Sequence, residues 1–252
     1  MQVYLLTGRV AVASFRNPVL LLNLVLALLF LLVYDGTVGG LQSFILFSGG
    51  SYYNFILPAA ILAASIGGGA AGLMLVSDME TGYLQRQLAM PLRRSALVMS
   101  LVIVAASQVV LQTIVVIAFG VLLGADPQNG MGGLLVLLAL AFVWGAGFAC
   151  YSVAVAILTR DAQATAAANL IFIPLIFFSP LLVPYEYLRP WMQTVSDVNP
   201  TSYVMEGMRS VIIEGWGGQP LLEAFGASLA FGITMGAAAL LAIRYRLSNG
   251  GR

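Results

Sequence analysis

The sequence predicts an all-α membrane protein with six transmembrane helices, and three observations carry that prediction. Charged residues make up 8% of the 252 residues and hydrophobic ones 60%, whereas a soluble domain carries about 25% charged residues. Six stretches hold no charge: 17–34, 36–77, 95–125, 127–159, 162–185 and 224–243. Each is long enough for about 30 Å of hydrocarbon, which takes roughly 20 helical residues. The arginines then gather in alternate gaps between those stretches.

The spans are expected near 18–34, 52–77, 96–123, 131–158, 164–183 and 221–243. Arg9 and Arg16 precede the first; Arg86, Arg93 and Arg94 follow the second. Arg160 follows the fourth, and Arg244, Arg246 and Arg252 follow the sixth. Only Arg189 and Arg209 fall on the opposite side. The excess of arginine marks the cytoplasmic side, so both termini are expected in the cytoplasm. An odd number of spans would destroy this segregation. The first apolar run is expected to be a retained span, because no small-residue cleavage site follows it.

Taken in order, residues 2–16 place Gln2, Arg9 and Arg16 on one helical face and Val3, Leu6, Val10 and Ala13 on the other. This reads as an amphipathic helix lying in the interface, or as the start of the first span. In span 2, Ala59, Ala63, Gly67 and Ala71 recur every four residues beside Gly68 and Gly72. Small residues at that spacing let helices pack closely; a dimer or cavity face is the other reading. The loop after span 2 runs from Ser77 to Arg94, with Tyr83, Leu84 and Leu88 among both signs of charge. A helix there sets Leu84 and Leu88 on one side. Spacing does not separate docking into a partner from a helix resting on the bilayer.

Span 3 carries Gln108 and Gln112 on one face with Ser107 beside them, and span 5 carries Asn169. Such residues either line a polar patch of a translocation path or bond across helices. Pro174 and Pro180 are expected to kink span 5, since proline removes a helical hydrogen bond. The outer segment 184–218 is too long for a turn. Asn199 followed by Pro200 reads as a helix start. Val204, Met208, Val211 and Ile212 then form an apolar face, Glu206 and Arg209 pair at three-residue spacing, and Gly215 ends the helix.

Composition excludes several chemistries. All eleven basic residues are arginine, with no lysine or histidine. No Schiff-base lysine, histidine base or histidine metal ligand exists, so no catalytic or metal site is expected. A P-loop needs its lysine on the nucleotide phosphates, so this chain does not bind ATP in that way. Cys150 is the single cysteine and forms no intrachain disulfide. No ionisable residue lies near the middle of a span, which argues against a proton relay and for an external source of energy. Nothing points to nucleic acid.

The loop after span 2 resembles the coupling segment of ABC type-2 permeases, the membrane subunits of one class of ATP-binding-cassette exporters. The matching residues are Asp78, Glu80, Gly82, Leu84, Leu88 and Pro91, with Met79 standing where a basic residue is common. Pro184, Leu188, Pro190, Trp191 and the run from Asn199 through Pro200 and Tyr203 to Arg209 resemble the segment before the family's last span. The resemblance covers nearly the whole chain, 1–252, as one membrane domain. It implies a half-transporter of a bacterial inner membrane, with Tyr83 in the ATPase-facing segment. Two ATPase subunits carry ATP and magnesium, and a second permease subunit, identical or different, completes the path. Closure of the ATPases would push on a coupling helix over 81–90. An amphipathic drug-like cargo is expected, with lipid or polysaccharide as the alternative. A non-transporting membrane scaffold and a proton-driven carrier are readings from other classes.

Overall fold

The computed structural model describes residues 18–38, 52–83, 86, 94–127, 130–215 and 218–249. Their regular structure is all helical, and no strand occurs among them. Helix α1 spans Pro18–Val38. Helix α2, Tyr52–Ser65, passes through a 3-10 turn, Ile66–Gly69, into α3, Ala70–Glu80. Helices α4, Arg94–Leu123, and α5, Gly130–Thr159, follow. Then come α6, Ala162–Asn169, α7, Phe172–Phe177, and a 3-10 turn, Tyr185–Tyr187. Helices α8, Pro190–Val198, and α9, Pro200–Arg209, lead into a π-helical turn, Ser210–Glu214. Helix α10, Gly218–Asn249, ends the described chain.

Four helical stretches are long and apolar enough to cross a membrane: Tyr53–Glu80, Val98–Leu123, Gly130–Thr159 and Gly218–Ile243. Two shorter apolar stretches, Leu21–Tyr34 and Ala162–Phe177, stand at the expected first and fifth spans. The expected interfacial helix at 1–16 lies outside the described residues.

Helix α5 is the centre of the bundle and packs against α10, α4 and α3. Its sequence is apolar on every side, which suits a helix surrounded by others. Leu137, Leu140, Ala141, Trp144, Phe148 and Val153 are all buried. Trp144 meets Phe231 of α10 at 5.2 Å between ring centroids, and Phe148 meets Phe172 of α7 at 3.8 Å. Helix α10 is the opposite case. Leu222, Leu229, Ile233, Leu240 and Leu241 remain exposed along it, a face that lipid or another chain covers. Helix α1 likewise buries only a narrow stripe, with Ala27 and Leu31, and exposes Leu22, Val25, Leu26 and Leu29. At one end Asn54 clips α2 to the loop after α4. Its Nδ2 donates to Asp126 O at 2.9 Å, and its Oδ1 accepts from Asp126 N at 2.8 Å.

Span 5 differs from the sequence expectation of one kinked helix over 164–183. It breaks after Asn169, and its helical part ends at Phe177. Pro174 is the cause of the first break. It has no N–H for the carbonyl four residues back, and its ring crowds that carbonyl. The chain tightens there instead: Leu170 N bonds Ala167 O at 3.2 Å and Ile173 N bonds Leu170 O at 3.0 Å. Pro180 disfavours helix in the residue before it, and residues 178–184 are not helical.

Span 2 also carries a break that sequence reading did not foresee, at the glycine run Gly67–Gly69. Its helix runs on to Glu80, past the expected end at Ser77. The outer segment holds two helices instead of one, because Arg189-Pro190 starts α8 with proline in its first turn.

Candidate functional site

Three groups of sequence-predicted residues occupy three levels of the bundle. The first is the end of α3. Asp78 is half-buried, and Glu80 and Thr81 are exposed. Thr81 and Gly82 form a turn, which corrects the expectation of a helix beginning at Thr81. Thr81 N donates to Ser77 O at 3.0 Å, its hydroxyl donates to the same oxygen at 2.9 Å, and Gly82 N donates to Met79 O at 3.2 Å. Gly82 has φ +67°, the left-handed conformation that glycine adopts at helix ends without steric cost. Tyr83 is helical and half-buried just beyond it, and Arg86 N returns to Gly82 O at 3.4 Å. Leu84, Leu88 and Pro91 lie outside the described residues. The turn therefore presents an exposed carboxylate at the tip of a helix that continues into the bundle.

The second group is the polar interior. Gln108 and Gln112 of α4 and Asn169 of α6 are all buried. Gln112 covers Gly67, where an added Cβ would fall 2.6 Å from its Oε1. Asn169 covers Gly69 in the same way, 2.6 Å from its Nδ2, and donates to Gly69 O at 3.3 Å. The small residues of span 2 are what allow this. Ala59, Gly67, Gly68, Ala71 and Gly72 are buried, with Ala63 half-buried. Gly68 leaves room for Gly145 O, which a Cβ would approach to 3.0 Å. The stripe is thus a packing face against α4, α5 and α6 within one chain. Sequence reading missed Tyr151 and Ser152 of α5. Both donate to backbone carbonyls of this interior, Ala168 O at 2.9 Å and Gly69 O at 2.8 Å. Their signal was two adjacent polar residues in the middle of a charge-free run.

The third group is the outer segment. Asn199 caps α9, its Oδ1 accepting from Thr201 N at 3.0 Å, and Pro200 takes the first helical position. Asn199 Nδ2 also donates to Leu175 O at 2.6 Å, and Thr201 Oγ1 donates to the same oxygen at 2.9 Å. These bonds tie α9 to α7. Val204, Met208, Val211 and Ile212 are buried, as their spacing predicted, and Gly215 ends the element at φ +91°. Glu206 and Arg209 form the expected ion pair. Arg209 is only 7% exposed, deeper than a polar face implies. Its guanidinium donates from Nη2 to Pro180 O at 2.8 Å and lies 3.7 Å from the centroid of the Phe55 ring. Desolvation of this kind is tolerable only because the charge is paired and bonded.

Beside the pair is a small cavity of about 120 Å³ lined by Tyr185, Asp197, Tyr203, Glu206 and Glu223. Tyr185 Oη donates to Asp197 Oδ1 at 2.7 Å, and Tyr203 Oη donates to Asp197 O at 2.6 Å. The bond to Asp197 pushes the Tyr185 phenol above its ordinary value.

One outcome follows for Asn199. Asn199→Ala removes the cap of α9 and the bond to Leu175 O together, and is expected to cost about 2 kcal/mol, a cap plus one buried hydrogen bond. Thermal unfolding in detergent measures it. An unchanged midpoint removes the anchoring role.

The comparisons with known proteins agree with this architecture. Residues 1–213 match the family model described as ABC-2 type transporter. A probable doxorubicin resistance ABC transporter permease protein of Mycobacterium tuberculosis is 27% identical over 252 residues, covering 98% of this chain and 89% of the relative. A daunorubicin resistance ABC transporter permease protein of Streptomyces coeruleorubidus is 25% identical, covering 80% of this chain and 72% of the relative. A putative transport permease of Porphyra purpurea is 26% identical, covering 82% and 72%. The helical membrane architecture and the match over most of its length place this chain in the ABC-2 type transporter family, whose members are membrane transport subunits working with an ATPase on a separate subunit.

Proposed function

We propose that this chain is half of the membrane part of an exporter that moves amphipathic, drug-like molecules out of the cytoplasm. Two copies of an ABC ATPase, holding ATP and magnesium, drive it from below, and a second permease subunit completes the path. The chain crosses a bacterial inner membrane six times, with α1 as the first span and α6–α7 as the broken fifth, and both termini lie in the cytoplasm. The drug-resistance names of two relatives support the cargo class. So does a bundle whose buried residues are mostly apolar, with Gln108, Gln112 and Asn169 among them.

The observation that carries the proposal is the exposed turn at the end of α3. Asp78, Glu80, Gly82 and Tyr83 begin the segment on which the ATPase docks, and the family resemblance extends that segment to Leu84, Leu88 and Pro91. Push there is transmitted directly, because α3 continues through the glycine turn into α2. Gln108, Gln112 and Asn169 are closed off between helices in this conformation. They meet cargo when spans 2, 3 and 5 part. Pro200, Tyr203 and the Glu206–Arg209 pair hold the outer segment over the far end.

The test uses inverted membrane vesicles containing the chain and its ATPase, with doxorubicin as the transported probe. Glu80→Ala removes the exposed carboxylate, and Gly82→Pro forces φ near −65° at a residue that needs +67°. Each is expected to reduce ATP-dependent uptake at least tenfold, with the protein inserted in wild-type amount. Wild-type uptake by both variants overturns the coupling role.

A further inference from the structure

Two spans of this bundle are broken, and both breaks rest on one unbroken helix. Span 2 gives way at the 3-10 turn Ile66–Gly69, and span 5 gives way between Asn169 and Phe172. Helix α5 reaches both through neighbouring residues. Tyr151 Oη donates to Ala168 O, one residue before the end of α6, at 2.9 Å. Ser152 Oγ donates to Gly69 O, the last residue of the 3-10 turn, at 2.8 Å. Asn169 Nδ2 reaches that same Gly69 oxygen at 3.3 Å, so the two breaks also touch each other. Ser152 and Asn169 are buried, and Tyr151 is half-buried. The rings around the junction are packed as well, with Phe172, the first residue of α7, 3.8 Å from Phe148 and 5.8 Å from Tyr151 between centroids.

A helix bends most readily where its bonding pattern changes, at a 3-10 turn or a proline. Each break alone would give its span an independent bend. Bonding both to adjacent residues of one unbroken helix, and to each other through one carbonyl, removes that independence.

We infer that Tyr151, Ser152 and Asn169 form a fulcrum, positioning residues that make spans 2 and 5 bend together. The role rests on the reading of α3 as the span the ATPase moves. Under it, displacement at Glu80 turns α3 about Gly69, and the Asn169 contact carries the turn to span 5. Span 5 in turn continues toward Pro180, whose carbonyl holds Arg209 of the outer segment. Asn169 thereby links the two ends of the transporter whether or not it also meets cargo.

Hydrogen exchange read by mass spectrometry, on the full chain in lipid nanodiscs without ATPase, tests the linkage. Tyr151→Phe deletes one hydroxyl that bonds span 5 alone. Exchange is expected to rise at residues 168–173 and, with it, at residues 66–73 of span 2, each by about threefold, the worth of one interhelical bond in a membrane. Ser152→Ala, which touches span 2 alone, is expected to give the mirror result. Gly69→Ala pushes Asn169 away, and it is expected to add nothing to the exchange of Asn169→Ala. A rise confined to the span that lost its bond, in both hydroxyl variants, overturns the fulcrum. So does additivity of Gly69→Ala with Asn169→Ala. Because no ATPase is present, loss of the coupling reading leaves this outcome standing, and the reverse also holds.

Discussion

Glu206→Ala is expected to lower the stability of the folded chain by about 2–3 kcal/mol, less than breaking a fully buried ion pair costs, because Glu206 itself is partly exposed. The asymmetry of the pair makes the direction specific. Arg209 is enclosed by α9, Phe55 and Pro180, with a side chain 8% exposed, whereas the side chain of Glu206 is 38% exposed. Removing the carboxylate leaves a mostly buried guanidinium without its charge partner. Removing the guanidinium leaves a carboxylate that can be hydrated. Arg209→Met, which keeps much of the volume without the charge, is therefore expected to cost less than Glu206→Ala. The double variant Glu206→Gln/Arg209→Met should recover part of the loss, since a neutral pair of similar volume often replaces a buried ion pair without penalty. Thermal unfolding in detergent ranks the three. Equal losses for both single variants, or a double variant worse than either, contradict the enclosed-arginine reading.

Gly72→Ala is expected to cost about 3 kcal/mol, the upper end of what overpacking a tight interior costs. An added Cβ there would clash with the Ser152 hydroxyl and backbone oxygen, and would lie 2.7 Å from the Ser152 carbonyl carbon. Backbone cannot swing aside as a side chain can. Gly36→Ala is the control, since nothing lies within 4 Å of an added Cβ at that position. A loss of folded protein in the first variant and not in the second supports close packing of α3 on α5. Wild-type melting of Gly72→Ala would show that the two helices stand further apart.

Much of this was legible in the chain itself because the signals are local. Absence of charge over long runs marks spans regardless of how they pack. The Asn199-Pro200 start and the Gly215 stop are set by backbone chemistry within a few residues, and the structure places them as read. The Glu206–Arg209 spacing predicted a pair for the same reason. Depth was not legible. Nothing in the spacing says that Pro180 O and the Phe55 ring close over Arg209, because those residues are far away in sequence. The break at Gly67–Gly69 was equally hidden. Glycine at four-residue spacing announces close packing, but not that Ser152 and Asn169, from two other helices, bond the carbonyl that closes the 3-10 turn. The kink expected at Pro174 is present as the turn between Asn169 and Phe172, and what the sequence did not show is that Tyr151 bonds Ala168 O beside it.

The central claim is that this permease moves its cargo with energy from a separate ATPase docked at the turn after α3. The most direct measurement is purification of the tagged chain from its native membrane in mild detergent, with mass spectrometry of what accompanies it. A stoichiometric polypeptide bearing a P-loop, lost on Gly82→Pro while the chain stays folded, is the predicted result. A folded, intact chain that comes out of the membrane without any such polypeptide contradicts it.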